Sequence, residues 1–320
     1  MRFLGIILWR FVMTTIVLQA NTFIIMGRSA IMGSELINAL NEPLFNFLRY
    51  ALAVGLLASL SFGIVGTYVV TKRITYIAGA IAHCALGGIG FGLYAKHEMG
   101  WQWFDPLYGA IIAAVISALI IGTVVLTGSE REDTVIGATW AVGMAVGFLF
   151  IKMVRTVTVN IESWLFGDIN FVSSSDLWTV AFLGVSVLIL TILFHKQFVA
   201  ICFDEEFARS RGVNVPFFYI LLLLMSAVTV VLLVRVIGII MVIALLTLPA
   251  ALGSRLAKGL PGMMSWAVFI CSIFLLLGLE FSMRIDAPAG PSIILVAGVA
   301  YFGFLLIDKI LGYIKSHGNK

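Results

Sequence analysis

Charge is what this sequence lacks most. Only 11% of its 320 residues are Asp, Glu, Lys or Arg, against roughly 25% in an ordinary soluble domain, so the chain cannot cover a water-soluble globule with polar surface. Cysteine is nearly absent as well. Cys84, Cys202 and Cys271 stand far apart in apolar surroundings with no CxxC spacing, which excludes a disulfide scaffold and a structural zinc site and leaves buried thiols. The net charge of +4 is small and dispersed, so nothing marks a nucleic-acid partner. The stretch Gly87-Gly88-Ile-Gly90-Phe-Gly92 has no Lys-Ser/Thr after it and no strand before it. It is therefore no Walker-type phosphate loop, and the chain is no ATP-hydrolysing enzyme by itself.

What the sequence does have is apolar length. Hydrophobic residues make up 61% of the chain and mean hydropathy is +1.11, the composition of an all-α, polytopic membrane bundle. At about 20 residues per span there is room for eight to ten transmembrane helices. Runs of span length fall near 47–71, 75–95, 106–127, 134–152, 177–194, 216–234, 236–253, 262–283 and 291–312. Arg235 marks the break between the sixth and seventh, with one long or broken helix over 216–253 as the alternative. Upstream, Phe11 to Met26 reads as an extra helix, spanning or interfacial, joined to the rest by the polar stretch Arg28 to Pro43. The expected organisation is an N-terminal helix and linker (1–43), one membrane domain (44–312) and a short cytoplasmic tail (313–320). No internal repeat or soluble insertion interrupts it.

Lysine and arginine set the orientation. With the 195–215 loop in the cytoplasm, alternation puts Lys72, Arg73, Arg131, Lys196, Arg209, Arg211, Arg255, Lys258, Lys315 and Lys320 inside. Lys96, Lys152, Arg155, Arg235 and Arg284 fall outside, together with Glu98, Asp105, Glu162, Asp168, Asp176 and Asp286. Ten basic residues against five obey the positive-inside rule, and the outer face is mildly acidic.

Two features carry chemistry. The second span holds His83 at membrane depth, on one helical face with Gly79 and Gly87 at four-residue spacing. An ionisable residue there is a functional candidate, and a neutral imidazole is a ligand for zinc and its neighbours. The alternative is a histidine hydrogen-bonded across helices, with glycines that only let helices approach. The second feature is the charged loop Cys202-Phe-Asp204-Glu205-Glu206-Phe-Ala208-Arg-Ser-Arg211-Gly212-Val213-Asn-Val-Pro216. It reads as a short helix ended by Gly212 and restarted at Pro216. In a membrane protein without a motor of its own, it is either a docking site or a solvated connector. Gly143-Met-Ala-Val-Gly147 adds a small-xxx-small face, read as an intramolecular packing surface.

Several segments resemble the permease subunits of bacterial zinc, manganese and iron ABC importers, nearest to the zinc-uptake membrane subunit. They are Thr71-Lys-Arg-Ile-Thr-Tyr-Ile-Ala-Gly-Ala-Ile-Ala-His83, Asp133-Thr-Val-Ile-Gly137, Trp164-Leu-Phe-Gly-Asp168, Phe203-Asp-Glu-Glu-Phe-Ala208 with Gly212-Val213, Val236-Ile-Gly238, Leu248-Pro249-Ala250-Ala251 and Ala287-Pro-Ala-Gly290-Pro-Ser292. Each is weak alone, but they occur in the family's order over about residues 44 to 312. The resemblance implies a homodimeric, multi-pass permease of eight or nine helices per chain in the bacterial plasma (inner) membrane. It implies an ABC ATPase docked on Asp204, Glu205, Glu206, Ala208, Arg211 and Gly212, and an extracytoplasmic metal-binding protein that delivers the cargo. The chain then holds no cofactor, and the divalent metal is its substrate.

One departure bears on which metal. In much of the family the second helix carries an aspartate one turn before the histidine, and Gly79 stands there in this chain. Losing a hard oxygen ligand weakens manganese more than zinc. The reading is therefore zinc, with His83 as a transient pathway ligand and manganese or ferrous iron as alternatives. Glu280 supplies a replacement carboxylate only if the fold brings it close; otherwise it has a helix-end role. A stand-alone secondary transporter normally shows several membrane-buried carboxylates, which are few here. An intramembrane enzyme finds no HExxH or paired-Asp arrangement among Glu162, Asp168 and His83.

Overall fold

A computed structural model of the chain describes residues 46–155, 161–167, 172 and 174–317. The expected helix at Phe11 to Met26 lies outside the described residues. The described elements are all helices: α1 (Asn46–Thr71), α2 (Tyr76–His97), α3 (Pro106–Thr127), α4 (Glu132–Met153), α5 (Ile161–Phe166), α6 (Ser174–Phe203), α7 (Glu205–Ser210), α8 (Val215–Ile237), α9 (Ile239–Leu256), α10 (Leu260–Ile285) and α11 (Ala289–His317). Nine of these are long and apolar enough to span a bilayer. Helices satisfy their own backbone hydrogen bonds, which is why an apolar chain in lipid folds this way.

Polar residues punctuate the spans. Asp105 accepts a hydrogen bond from the Leu107 backbone N–H at 2.9 Å, Pro106 opens α3, and Gly128 closes it in the left-handed conformation. Asn214 caps α8 in the same way, accepting from the Phe217 N–H at 3.2 Å. Two boundaries differ from the sequence reading. α6 runs through Lys196 to Phe203, nine residues past the expected end, with a bend at Phe194. The apolar side chains of Phe198 and Ile201 continue the buried face beyond Lys196 and Gln197, so a charge inside the run did not end the helix. The break in 216–253 falls at Gly238, not Arg235. Gly238 has φ +87°, and a side chain there would collide with the Gly167 N–H and the end of α5, so the turn needs glycine on two counts. At the other end of the chain, α11 runs to His317.

α2 packs between α3 and α4, while α1 packs against α6, α9 and α10, and α8 contacts both groups. Outward faces carry Trp178, Phe182, Val299, Phe302 and Leu306, side chains suited to acyl chains. Alternation gives the bundle two polar ends. At one end Lys72 pairs with Glu205, the Tyr219 hydroxyl donates to Glu132 at 3.1 Å, and Arg255 pairs with Asp308 at 2.8 Å. At the other, the Arg155 backbone N–H donates to Glu98 at 2.7 Å and Arg284 pairs with Glu280 at 2.8 Å.

Candidate functional site: an intramembrane histidine and a charged end helix

The glycines of α2 serve close helix contact. Gly88 faces Gly109 of α3 so tightly that a Cβ on either would overlap the other's carbonyl oxygen. On the next face, a Cβ on Gly87 would lie 2.9 Å from the Gly143 carbonyl oxygen, and one on Gly147 3.0 Å from the Gly87 N. The Gly143/Gly147 face thus packs within the chain, against α2. Small residues at such seams let backbones meet without side chains between them.

His83 lies on that α4-facing side, and the space its neighbouring glycines leave is filled from α4. The Trp140 indole of α4 stacks on the imidazole, with ring centroids 4.9 Å apart and planes inclined by 23°. The same indole covers Gly79, where any Cβ would overlap its six-membered ring. His83 Nδ1 is buried and makes no hydrogen bond, so the ring is oriented by stacking and not by a cross-helix hydrogen bond. Next to it the Cys84 thiol donates to the Thr139 carbonyl at 3.2 Å. Trp140 escaped the sequence reading, yet it shares the 140/143/147 face with the two seam glycines, and that spacing was the available signal.

Glu280 belongs to a different part of the bundle. It is buried on α10, which packs on α1, α9 and α11, and its Oε1 accepts from Arg284 Nε at 2.8 Å one turn on. Its other oxygen is buried without a partner. Among the described residues, no three His, Cys, Asp or Glu side chains come together as a metal-holding group.

The charged loop does form a helix. Asp204 caps α7 by accepting from the Phe207 N–H at 2.9 Å, and Gly212, at φ +78°, lets the chain turn back toward α8. The six singled-out residues divide by direction. Ala208 is fully buried, and Glu205 turns inward to pair with Lys72. Asp204, Glu206, Arg211 and Gly212 are exposed. Phe203, Phe207 and Phe217 are exposed beside them, with the Arg211 guanidinium 5.2 Å from the Phe207 ring centre. That aromatic group also went unread in the sequence, because phenylalanine is unremarked in a chain holding 24 of them.

Three segments of the family-like pattern meet at the opposite end. Gly167, at φ +73°, rests against Ile237 and Gly238, and Gly290 lies against the Phe166 carbonyl oxygen. The end of α5, the α8–α9 break and the start of α11 thus form one junction with no room for side chains.

Comparison with known proteins agrees with this architecture. Residues 44–308 match the ABC 3 transport family, and the chain belongs to it, as a membrane permease of a metal ABC transporter family. A probable metal transport system membrane protein of Chlamydia pneumoniae is 38% identical over 252 residues, covering 79% of this chain and 86% of that one. The manganese transport system membrane protein MntC of Halalkalibacterium halodurans is 32% identical over 258 residues, covering 80% of this chain and 86% of that one. Among solved structures, a chain of PsaBC from Streptococcus pneumoniae in complex with Fab has a TM-score of 0.73 at 27% identity, covering 85% of this chain and 94% of that chain.

Proposed function

We propose that the chain passes zinc across the bacterial plasma membrane as the permease of an ABC importer, with His83 as a transient ligand on the path. The observation that carries this reading is an intramembrane imidazole held by a stacked indole and not by a hydrogen bond at its buried Nδ1, with no carboxylate at position 79. Borderline-soft zinc accepts imidazole alone more readily than manganese does. A conducting site must also release its ion, so a single histidine per subunit suits it better than a closed cage of four ligands. In this reading two copies of the chain form the pathway. The largely exposed α4, with Val142, Phe148 and Leu149 on its surface, offers apolar area for such an assembly. An ATPase docks at the Lys72 end on α7, which lies in the cytoplasm, and an extracytoplasmic binding protein delivers the ion at the Glu98 end.

Manganese is the second reading, favoured by the 32% identity to a protein named for manganese transport. Uptake of radioactive zinc and manganese by cells expressing the whole importer, normalised to assembled complex, separates the two. His83→Ala is expected to lower zinc uptake at least tenfold with assembly intact. Normal uptake per assembled complex would make His83 a packing residue, and a wild-type preference for manganese over zinc would replace the first reading by the second.

A further inference from the structure

We infer that Trp140 is a specificity-determining and positioning residue of the His83 site. This deepens the proposed function and rests on it. The indole does two things at once. It holds the imidazole by face-to-face stacking, 4.9 Å between centroids, and it fills the volume any side chain at position 79 would need. A metal-bound histidine is normally oriented by a hydrogen bond from its other ring nitrogen to a carboxylate or carbonyl. His83 Nδ1 has none, so the stack supplies the orientation that a hydrogen bond supplies elsewhere.

Gly79 and Trp140 are therefore a coupled pair. A carboxylate cannot be added one turn from His83 while the indole lies there, and the indole cannot lie there over a side chain. The occupant of this space decides whether the ion meets nitrogen alone or nitrogen with a hard anionic oxygen. The first favours zinc over manganese and the second moves preference toward manganese. Aromatic bulk on α4 thus acts on selectivity by keeping an oxygen ligand out, a repulsive route to specificity.

The test uses the assembled importer and four variants, Gly79→Asp, Trp140→Phe, Trp140→Leu and the double variant Gly79→Asp/Trp140→Ala. The readouts are the yield of complex in size exclusion and the zinc-to-manganese uptake ratio per complex. Gly79→Asp alone is expected to lose most assembled complex, and the double variant to regain it with the ratio shifted at least tenfold toward manganese. Trp140→Phe, which still stacks, should keep the wild-type ratio, whereas Trp140→Leu, which fills space without stacking, should lower it at least threefold. Gly79→Asp that assembles and transports as wild type would overturn the inference, as would a Trp140→Leu ratio equal to wild type. Full uptake by His83→Ala would instead defeat the pathway reading, and the rescue of Gly79→Asp assembly by Trp140→Ala would still report whether the indole excludes a side chain there.

Discussion

Proline at position 208 should release the end helix from the bundle. The Ala208 N–H donates to the Asp204 carbonyl at 3.0 Å, the first intrahelical bond of α7. Proline removes that donor and drives its ring toward the same carbonyl, at a cost of about 3 kcal/mol or more. It also disfavours the helical conformation of Phe207 before it. The two polar holds on this helix are weaker. The Asp204 cap is worth about 1 kcal/mol, and the Lys72–Glu205 pair, with Glu205 38% exposed, no more than about 1 kcal/mol after screening. Together they come to about 2 kcal/mol, less than the perturbation, and six residues do not hold a helix alone in water.

Since 1.4 kcal/mol is a tenfold change in an equilibrium, a helix held by about 2 kcal/mol and perturbed by about 3 kcal/mol goes from almost fully formed to roughly one-sixth formed, and apparent affinity for the ATPase falls about sixfold with it. Co-purification of the ATPase at sub-saturating concentration, with zinc uptake alongside, is the assay, and Ala208→Pro should lower both while still inserting. Glu205→Pro is the control. It occupies the first helical position, where proline is tolerated, and follows Asp204 in an extended conformation. It loses only the ion pair, which leaves roughly 1 kcal/mol of hold and lowers the formed population by less than about 1.5-fold. Equal ATPase association for wild type and Ala208→Pro would refute the reasoning and reduce α7 to a connector.

Two further outcomes are expected. In a background lacking Cys84, Cys202 and Cys271, cysteines at positions 98 and 286 should react with an impermeant thiol reagent added to whole cells, and cysteines at 206 and 258 should not; labelling of 206 from outside would invert the orientation. Gly88→Val should force α2 and α3 apart, because the group it meets is a backbone carbonyl that cannot swing aside. Overpacking of this kind costs about 1–3 kcal/mol, read as a lower melting temperature of the detergent-solubilised complex. Gly137→Ala, with nothing within 4 Å, should leave that temperature unchanged.

The spans were legible because a helix that must bury its backbone polar groups in lipid leaves a long apolar run, and most runs end at residues that can cap or stop it. Where the structure departs from the pattern of charges, backbone geometry sets the helix end. Lys196 looked like the start of a loop, but a lysine can lay its stem along apolar surface while its amine reaches the interface, and α6 continues past it. Arg235 looked like a break, whereas the helix ends at Gly238, the residue able to take φ +87° against the end of α5. His83 was legible as an oddity of residue type. Its environment was not, because Trp140 lies 57 positions away in sequence and nothing in α2 announces which side chain of α4 will meet it.

α4 is the element common to both candidate regions. At its first residue, Glu132 accepts the Tyr219 hydroxyl. The Tyr219 ring lies 5.9 Å from the Lys72 amine, which pairs with Glu205 of α7. Eight residues farther along α4, about 12 Å at the helical rise, Trp140 stacks on His83. Contacts therefore run without a gap from the end helix to the imidazole. Coupling between distant sites travels through contiguous packed elements with two arrangements, and the α2–α4 seam suits such an element. It meets backbone to backbone at Gly87, Gly90, Gly143 and Gly147, and side chains cross it at the His83–Trp140 stack and where Phe91 and Tyr94 meet Phe150. A shift of α4 at its Glu132 end would move the indole over His83 and Gly79.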